Sequence, residues 1–298
     1  MTTPAAGAGD GWPAVDRKKI GIVWLHGLGD SGRSWHGLQQ RVWQGLHVVD
    51  DAWAQNVSPE KQIKWRFPEA PAQKVRLNQD MEMPSWFDMY SIPARATGAG
   101  TGADADAGEQ DAELRAQLDR SVALVHAEID SLRTDDHVAP ERIFVCGFSQ
   151  GAAVAVLAAL SYGRGRGSAA PRVAGVAAFS GWAVGPLAYW DERVVAVTES
   201  GGTAAGGGAS GNAVDGAGDA GALPPALVCH GADDDIVEPG AARALRDRLR
   251  AAVAARGGAE VRCHTYPRMG HVFSADEERD LCIFIRDVGA AWGADASE

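Results

Sequence analysis

The chain has 298 residues, 46 % hydrophobic and 22 % charged, with a formal net charge of −11. That composition is globular and excludes wholesale disorder. A surface this acidic repels phosphate backbones, which excludes nucleic acid as a main partner, and leaves at most transient contact with a membrane surface. The four cysteines, Cys146, Cys229, Cys263 and Cys282, have no CxxC spacing. Reduced thiols and a cytoplasmic location are the expectation.

In chain order, residues 1–16 are rich in Ala, Gly and Pro, lack the basic start and apolar stretch of a secretory signal, and are expected to form a flexible tail. Lys18–Leu25 (KKIGIVWL) predicts a strand with a near-continuous apolar end. Leu77–Tyr90 (LNQDMEMPSWFDMY) reads as a loop holding Met81, Met83 and Met89, three of the five methionines. Residues 97–108 are Gly/Ala/Asp-rich and are expected as a flexible insertion. From Leu114 to Leu132 the apolar residues Leu114, Leu118, Val122, Val125, Ile129 and Leu132 recur at steps of three and four, a helical stripe.

Arg142–Cys146 and Val173–Phe179 predict short strands apolar on both faces, with a helix over Ala152–Leu160 between them. A second insertion, at about 198–222, carries nine glycines between Gly201 and Gly221. Ala226–Cys229 predicts another strand, Ala241–Val253 a helix, and Val261–Tyr266 an alternating, more exposed strand. The last helix, Ser274–Trp292, opens on Ser274-x-x-Glu277, a capping box. Alternating strands and helices imply an α/β fold with a mostly parallel sheet, whose site lies beyond the carboxyl ends of the strands. The expected organisation is one domain over 17–293 with two insertions, followed by a short tail at 294–298.

Gly147-Phe148-Ser149-Gln150-Gly151 is a GxSxG pentapeptide between a strand and a helix, the setting of a nucleophile elbow. A Cβ at either glycine is expected to clash in so sharp a turn. Gln150, just after the nucleophile and at a helix N-terminus, offers a backbone N–H to an oxyanion. A serine hydroxyl needs a base, and of the eight histidines His271 stands correctly, in a turn after the last strand and before the capped helix. His264 within a strand and His126 within a helix are expected to be structural or exposed, and His230 to order a turn. Asp233, Asp234 and Asp235 all follow the Ala226–Cys229 strand, and spacing does not choose among them as the orienting acid. Ser, Asp, His is the chain order of α/β-hydrolases.

Further motifs sharpen the reading. The first strand runs into His26-Gly27-Leu28-Gly29-Asp30-Ser31-Gly32, and then come Pro68-Glu69-Ala70-Pro71, Leu77-Asn78 and Met83-Pro84-Ser85-Trp86-Phe87-Asp88. With the GFSQG elbow, His230-Gly231-x-x-Asp234 and Met269-Gly270-His271, the chain resembles the acyl-protein thioesterase, lysophospholipase and carboxylesterase family of small α/β-hydrolases. The resemblance covers about Lys18 to Trp292 apart from the insertions. It implies the α/β-hydrolase fold, with helices on both faces of the sheet, and no metal or organic cofactor. It implies Ser149 as nucleophile, His271 as base, Asp234 as acid, and the backbone N–H groups of Leu28 and Gln150 as the oxyanion hole.

Two departures stand out. The family's Val-Pro after the acid becomes Val237-Glu238-Pro239, an expected displacement of the acid loop, and the stretch after Ser180-Gly181-Trp182 is long. Met81, Met83, Trp86, Phe87 and Trp182 are candidates to line an acyl groove, the alternative being that the loop's apolar residues pack it onto the sheet. The implied reaction is cleavage of acyl thioesters or esters on an acylated protein, a lipid or a small ester. A short-chain carboxylesterase is the runner-up. An inactive hydrolase fold serving as a binding protein is the alternative of another class, and the complete set of triad candidates argues against it. A peptidase of this fold usually adds a second domain, and no segment is left over to form one.

Overall fold

A computed structural model describes residues 15–16, 19–56, 62–91, 107–163, 171–195 and 222–293. Most of the expected tails and of both insertions lies outside these residues.

Six parallel strands form the central sheet in the order β2-β1-β5-β6-β7-β8. They are β1 (Ile20–Leu25), β2 (Ile63–Arg66), β5 (Ile143–Phe148), β6 (Gly175–Phe179), β7 (Ala226–Gly231) and β8 (Val261–Tyr266). A separate antiparallel hairpin pairs β3 (Ala72–Val75) with β4 (Met81–Pro84). Each of the five strands expected from the sequence is present, while β2, β3 and β4 were not expected. These three are four residues each, and Met81–Pro84 lies inside the segment read as a loop. Strands so short bury too little to show a period of two.

Alternate side chains of β1 supply two cores. Val23 and Leu25 join the face covered by α2 (Ala107–Thr134), α3 (Gln150–Ser161) and α4 (Pro239–Arg256). Ile20, Ile22 and Trp24 join the face covered by α1 (Leu38–Val49) and α5 (Ala275–Ala290). With both faces covered, β1 is buried at every position, which is why its sequence is a continuous apolar run. The helix α3 is buried on all sides, consistent with its Ala/Val/Leu composition all round.

Residues 107 and 108, expected to lie in the first insertion, open α2, which starts seven residues before the apolar stripe. Helix α1 escaped the sequence reading although Leu38, Val42 and Leu46 are buried at steps of four. The capping box of α5 forms as expected. Ser274 Oγ accepts from the Glu277 N–H, and the Glu277 carboxylate accepts from the Ser274 N–H. No helix among the described residues is long and apolar enough to cross a membrane.

Candidate active site

The carboxyl ends of β1, β5, β7 and β8 bring the site together. At the end of β5 the chain turns sharply into α3, and Ser149 at the turn has φ 55° and ψ −121°. A non-glycine residue at positive φ stores strain that its surroundings must sustain. Here the glycines allow it. A Cβ at Gly147 would lie 2.6 Å from the Gly151 carbonyl, and one at Gly151 would lie 2.4 Å from the His26 oxygen. The Ser149 N–H donates to Phe179 O at 2.8 Å, tying the turn to β6. Ser149 is 9 % exposed, and its hydroxyl stands at the positive end of α3.

His271 lies in the turn between β8 and α5. Its Nε2 is 2.9 Å from Ser149 Oγ and its Nδ1 is 2.8 Å from Asp234 Oδ2. The ring packs on Phe148, centroid to centroid 4.9 Å. The proton positions follow from donor and acceptor chemistry. An ionised carboxylate only accepts, so Nδ1 carries the hydrogen and Nε2 presents its lone pair to the serine O–H. That is the protonation state a general base requires.

Asp234 is the one buried member of the Asp233–Asp235 run, 3 % exposed. Its Oδ1 accepts from the N–H groups of Ile236 at 3.0 Å and Val237 at 2.8 Å. Burial pushes this carboxyl's pKa up. The hydrogen bonds from His271 and the Val237 N–H outweigh burial and hold it below the ordinary range. Asp234 is therefore ionised beside His271 at neutral pH. With Val237-Glu238-Pro239 in place, the loop still brings Asp234 to His271. Glu238 becomes the N-cap of α4 and Pro239 its first residue, where a missing N–H costs nothing.

His230 orders the same turn, as read from the sequence. Its Nε2 lies 2.6 Å from Val237 O and 3.3 Å from Asp234 Oδ2. Both partners accept, so Nε2 carries the proton, and burial holds this imidazole below its usual pKa. His126 bonds Ala158 O at 2.9 Å, and the partly exposed His264 bonds Asp280 at 2.5 Å.

Leu28 sits in the turn after β1. The neighbouring Gly27 lies against Ser149, since a Cβ there would be 3.4 Å from Ser149 Cβ. Gln150 opens α3, so its N–H has no carbonyl one turn back in the helix. Leu28 thus follows a residue that lies against Ser149, and Gln150 follows Ser149 directly at the start of α3.

The acyl-groove candidates divide. Met81 is 63 % exposed on the hairpin, and Met83 is half-buried with its Sδ 3.2 Å from Asn78 Nδ2. Trp86, 1 % exposed, and Phe87 are part of the core, which corrects their placement in a groove. The indole N–H of Trp86 is consumed by His26 O at 2.8 Å, and Phe87 packs edge-on against the buried Trp182 ring at 6.1 Å. The sequence reading also missed the Gln150 side chain, which is fully buried and bonded to Ser85, Trp86 and Phe87. A long amide at the head of an otherwise apolar helix was the available signal.

A sequence profile of the phospholipase/carboxylesterase family matches residues 13–200. The chain belongs to this family. Its members are serine esterases of the α/β-hydrolase fold, and the six-stranded parallel sheet with flanking helices is that fold. A profile of the prolyl oligopeptidase family matches residues 122–286, the part of the chain that carries Ser149, Asp234 and His271.

The chain is 31 % identical over 270 residues to acyl-protein thioesterase 1 of Mycosarcoma maydis, covering 90 % of each. It is 35 % identical over 170 residues to a probable carboxylesterase of Oryza sativa subsp. japonica, 57 % of this chain and 51 % of that relative. The crystal structure of Arabidopsis thaliana SOBER1 superposes with a TM-score of 0.62 at 26 % identity, covering 91 % of this chain and 99 % of that one.

Proposed function

We propose that this chain hydrolyses acyl thioesters and esters through Ser149, His271 and Asp234, with long-chain acyl groups on protein thiols or lysophospholipids as its substrate class. The observation that carries the chemistry is the imidazole of His271 within 3 Å of both the Ser149 hydroxyl and the Asp234 carboxylate. His271 Nε2 takes the Ser149 proton while Oγ attacks the acyl carbonyl carbon. The N–H groups of Leu28 and Gln150 hold the resulting oxyanion, and losing one such donor typically costs ~3 kcal/mol of barrier. As the tetrahedral species collapses, His271 returns the proton to the departing thiol or alcohol. Water then repeats the sequence on the acyl-enzyme, releasing the acid and restoring Ser149.

The similarity to a fungal acyl-protein thioesterase over 90 % of both chains supports the long-chain part, as do the exposed Met81 and half-buried Met83 on the hairpin. Flexible thioethers adapt to a linear chain. A short-chain carboxylesterase is the second reading, favoured by the burial of Trp86 and Phe87, which leaves fewer side chains to line a groove. Rates on a C2 to C16 series of p-nitrophenyl esters and matching thioesters separate the two. A rise toward C12–C16 is expected, and activity confined to C2–C4 rejects the long-chain reading.

A further inference from the structure

Met83–Asp88 is a specific motif whose Ser85 hydroxyl and Asp88 carboxylate are hydrogen-bonded within the fold, and its bulkiest residue, Trp86, is buried. Its hydrogen bonds run to both sides of Ser149. The Pro84 carbonyl accepts from the Gly29 N–H at 2.8 Å, and the Trp86 indole N–H donates to the His26 carbonyl at 2.8 Å. These two bonds clip the four-residue turn that carries Leu28 at both of its ends.

On the other side, the Gln150 side chain is fully consumed by the same segment. Its Oε1 accepts from the Trp86 backbone N–H at 2.9 Å, which fixes the orientation of the amide. Its Nε2 donates to Phe87 O at 2.7 Å and to Ser85 Oγ at 3.0 Å. The segment is itself anchored elsewhere. The Ser85 N–H donates to Pro71 O at 3.0 Å, Gln73 Nε2 donates to Ser85 O at 2.7 Å, and Ser121 Oγ donates to Trp86 O.

The ladder between β1 and β5 ends at the pair Leu25 and Gly147. Past that pair, Leu28 and Gln150 stand on separate turns. We propose that Pro84–Phe87 is a bracket that sets the spacing between the two backbone donors of the oxyanion hole, with Trp86 and the Gln150 side chain as its positioning residues. The proposal rests on the assignment of Leu28 and Gln150 as those donors. Gln150 then serves twice, through its backbone toward the reacting carbonyl and through its side chain toward the bracket. Donors held in advance by a buried, fully paired network need no reorganisation as charge develops.

Trp86→Phe removes the indole N–H and shrinks the bicyclic ring to a single one that stays in the core. Gln150→Ala removes the amide but leaves the backbone N–H. Each is expected to lower kcat roughly 10- to 100-fold with KM within about twofold, because the spacing matters to the oxyanion rather than to the ground state. Affinity for a trifluoromethyl ketone, which forms a tetrahedral adduct on the serine, is expected to fall in parallel. Binding of a non-cleavable ether analogue of the substrate, followed in the same variants, is expected to stay unchanged. Wild-type kcat and ketone affinity in Trp86→Phe, or a loss carried wholly by KM, overturns the bracket. Labelling of the wild-type enzyme by a fluorophosphonate, absent in Ser149→Ala, is run alongside. If the wild type labels and turns over while Trp86→Phe is unaffected, only the bracket fails. If the wild type neither labels nor hydrolyses any ester, the serine-esterase reading fails and the bracket falls with it.

Discussion

The elbow Gly147–Gly151 and the segment Met83–Asp88 lie within hydrogen-bond reach of each other and are built in opposite ways. The elbow turns on its two glycines. Two glycines clear the room for a strained backbone, and one hydroxyl is left at its apex. The segment works by bulk, with Trp86 and Phe87 filling the space beside α3 and every nearby polar group satisfied. One region carries the proposed nucleophile, and the other fills the core without a proposed part in the chemistry. A distinctive string of residues is therefore no sign in itself of where bonds are made.

The contrast is tested most sharply at Ser149. Ser149→Ala is expected to lower kcat by about 10⁵-fold or more, as removal of a triad nucleophile does. Its melting temperature should stay within about 2 °C, since the hydroxyl contributes one partly exposed hydrogen bond. A residual rate within tenfold of wild type would displace Ser149 from the chemistry.

Asp234→Asn comes next, at about 10⁴-fold in kcat. Both carboxylate oxygens accept, Oδ1 from two backbone N–H groups and Oδ2 from His271. An asparagine has one acceptor oxygen, which the backbone N–H groups claim. Its NH₂ then faces His271, which takes the other tautomer and loses its lone pair toward Ser149. Asp233→Asn and Asp235→Asn, both exposed, should change kcat less than about twofold. A larger loss at either neighbour would move the acid.

Phe87→Ala probes the other side of the comparison. Truncating a buried phenylalanine costs about 3–5 kcal/mol of stability, readable by urea unfolding. A drop below 1 kcal/mol would mean that the segment is not core.

A smaller effect is expected at Glu277, whose burial pushes its pKa up from 4.5 to about 7. Between those values the folded chain holds a proton that the unfolded chain releases, so stability falls as pH rises through that window. The loss is a few kcal/mol at most, at about 1.4 kcal/mol per unit. Glu277→Gln keeps an acceptor for the Ser274 N–H without the charge. Its unfolding free energy should match wild type near pH 5 and exceed it by pH 8; parallel curves would show that Glu277 does not titrate in that range.

The smallest expected change is at the exposed Met81. Met81→Ser should raise KM for a C16 ester about two- to fivefold, at ~0.8 kcal/mol per buried methylene, and leave C4 unaffected. Equal changes for both chain lengths would remove the hairpin from the acyl path.

The sequence by itself determined the parts that are local. Strands apolar on both faces announced a covered parallel sheet, and the stripe from Leu114 to Leu132 announced α2. The capping box at Ser274 and the glycines around Ser149 could be read directly, because each depends on neighbours a few residues away. Chain order and motif likewise brought Ser149, Asp234 and His271 forward as candidates. Tertiary structure alone decided what depends on distant segments. It determined which ring of the hairpin region is buried, that Glu238 is absorbed as a helix cap while Asp234 still meets His271, and that the Gln150 amide faces three residues more than sixty positions away. Burial and hydrogen-bond partnership are set by what the folded chain brings alongside, and no local period or spacing encodes that.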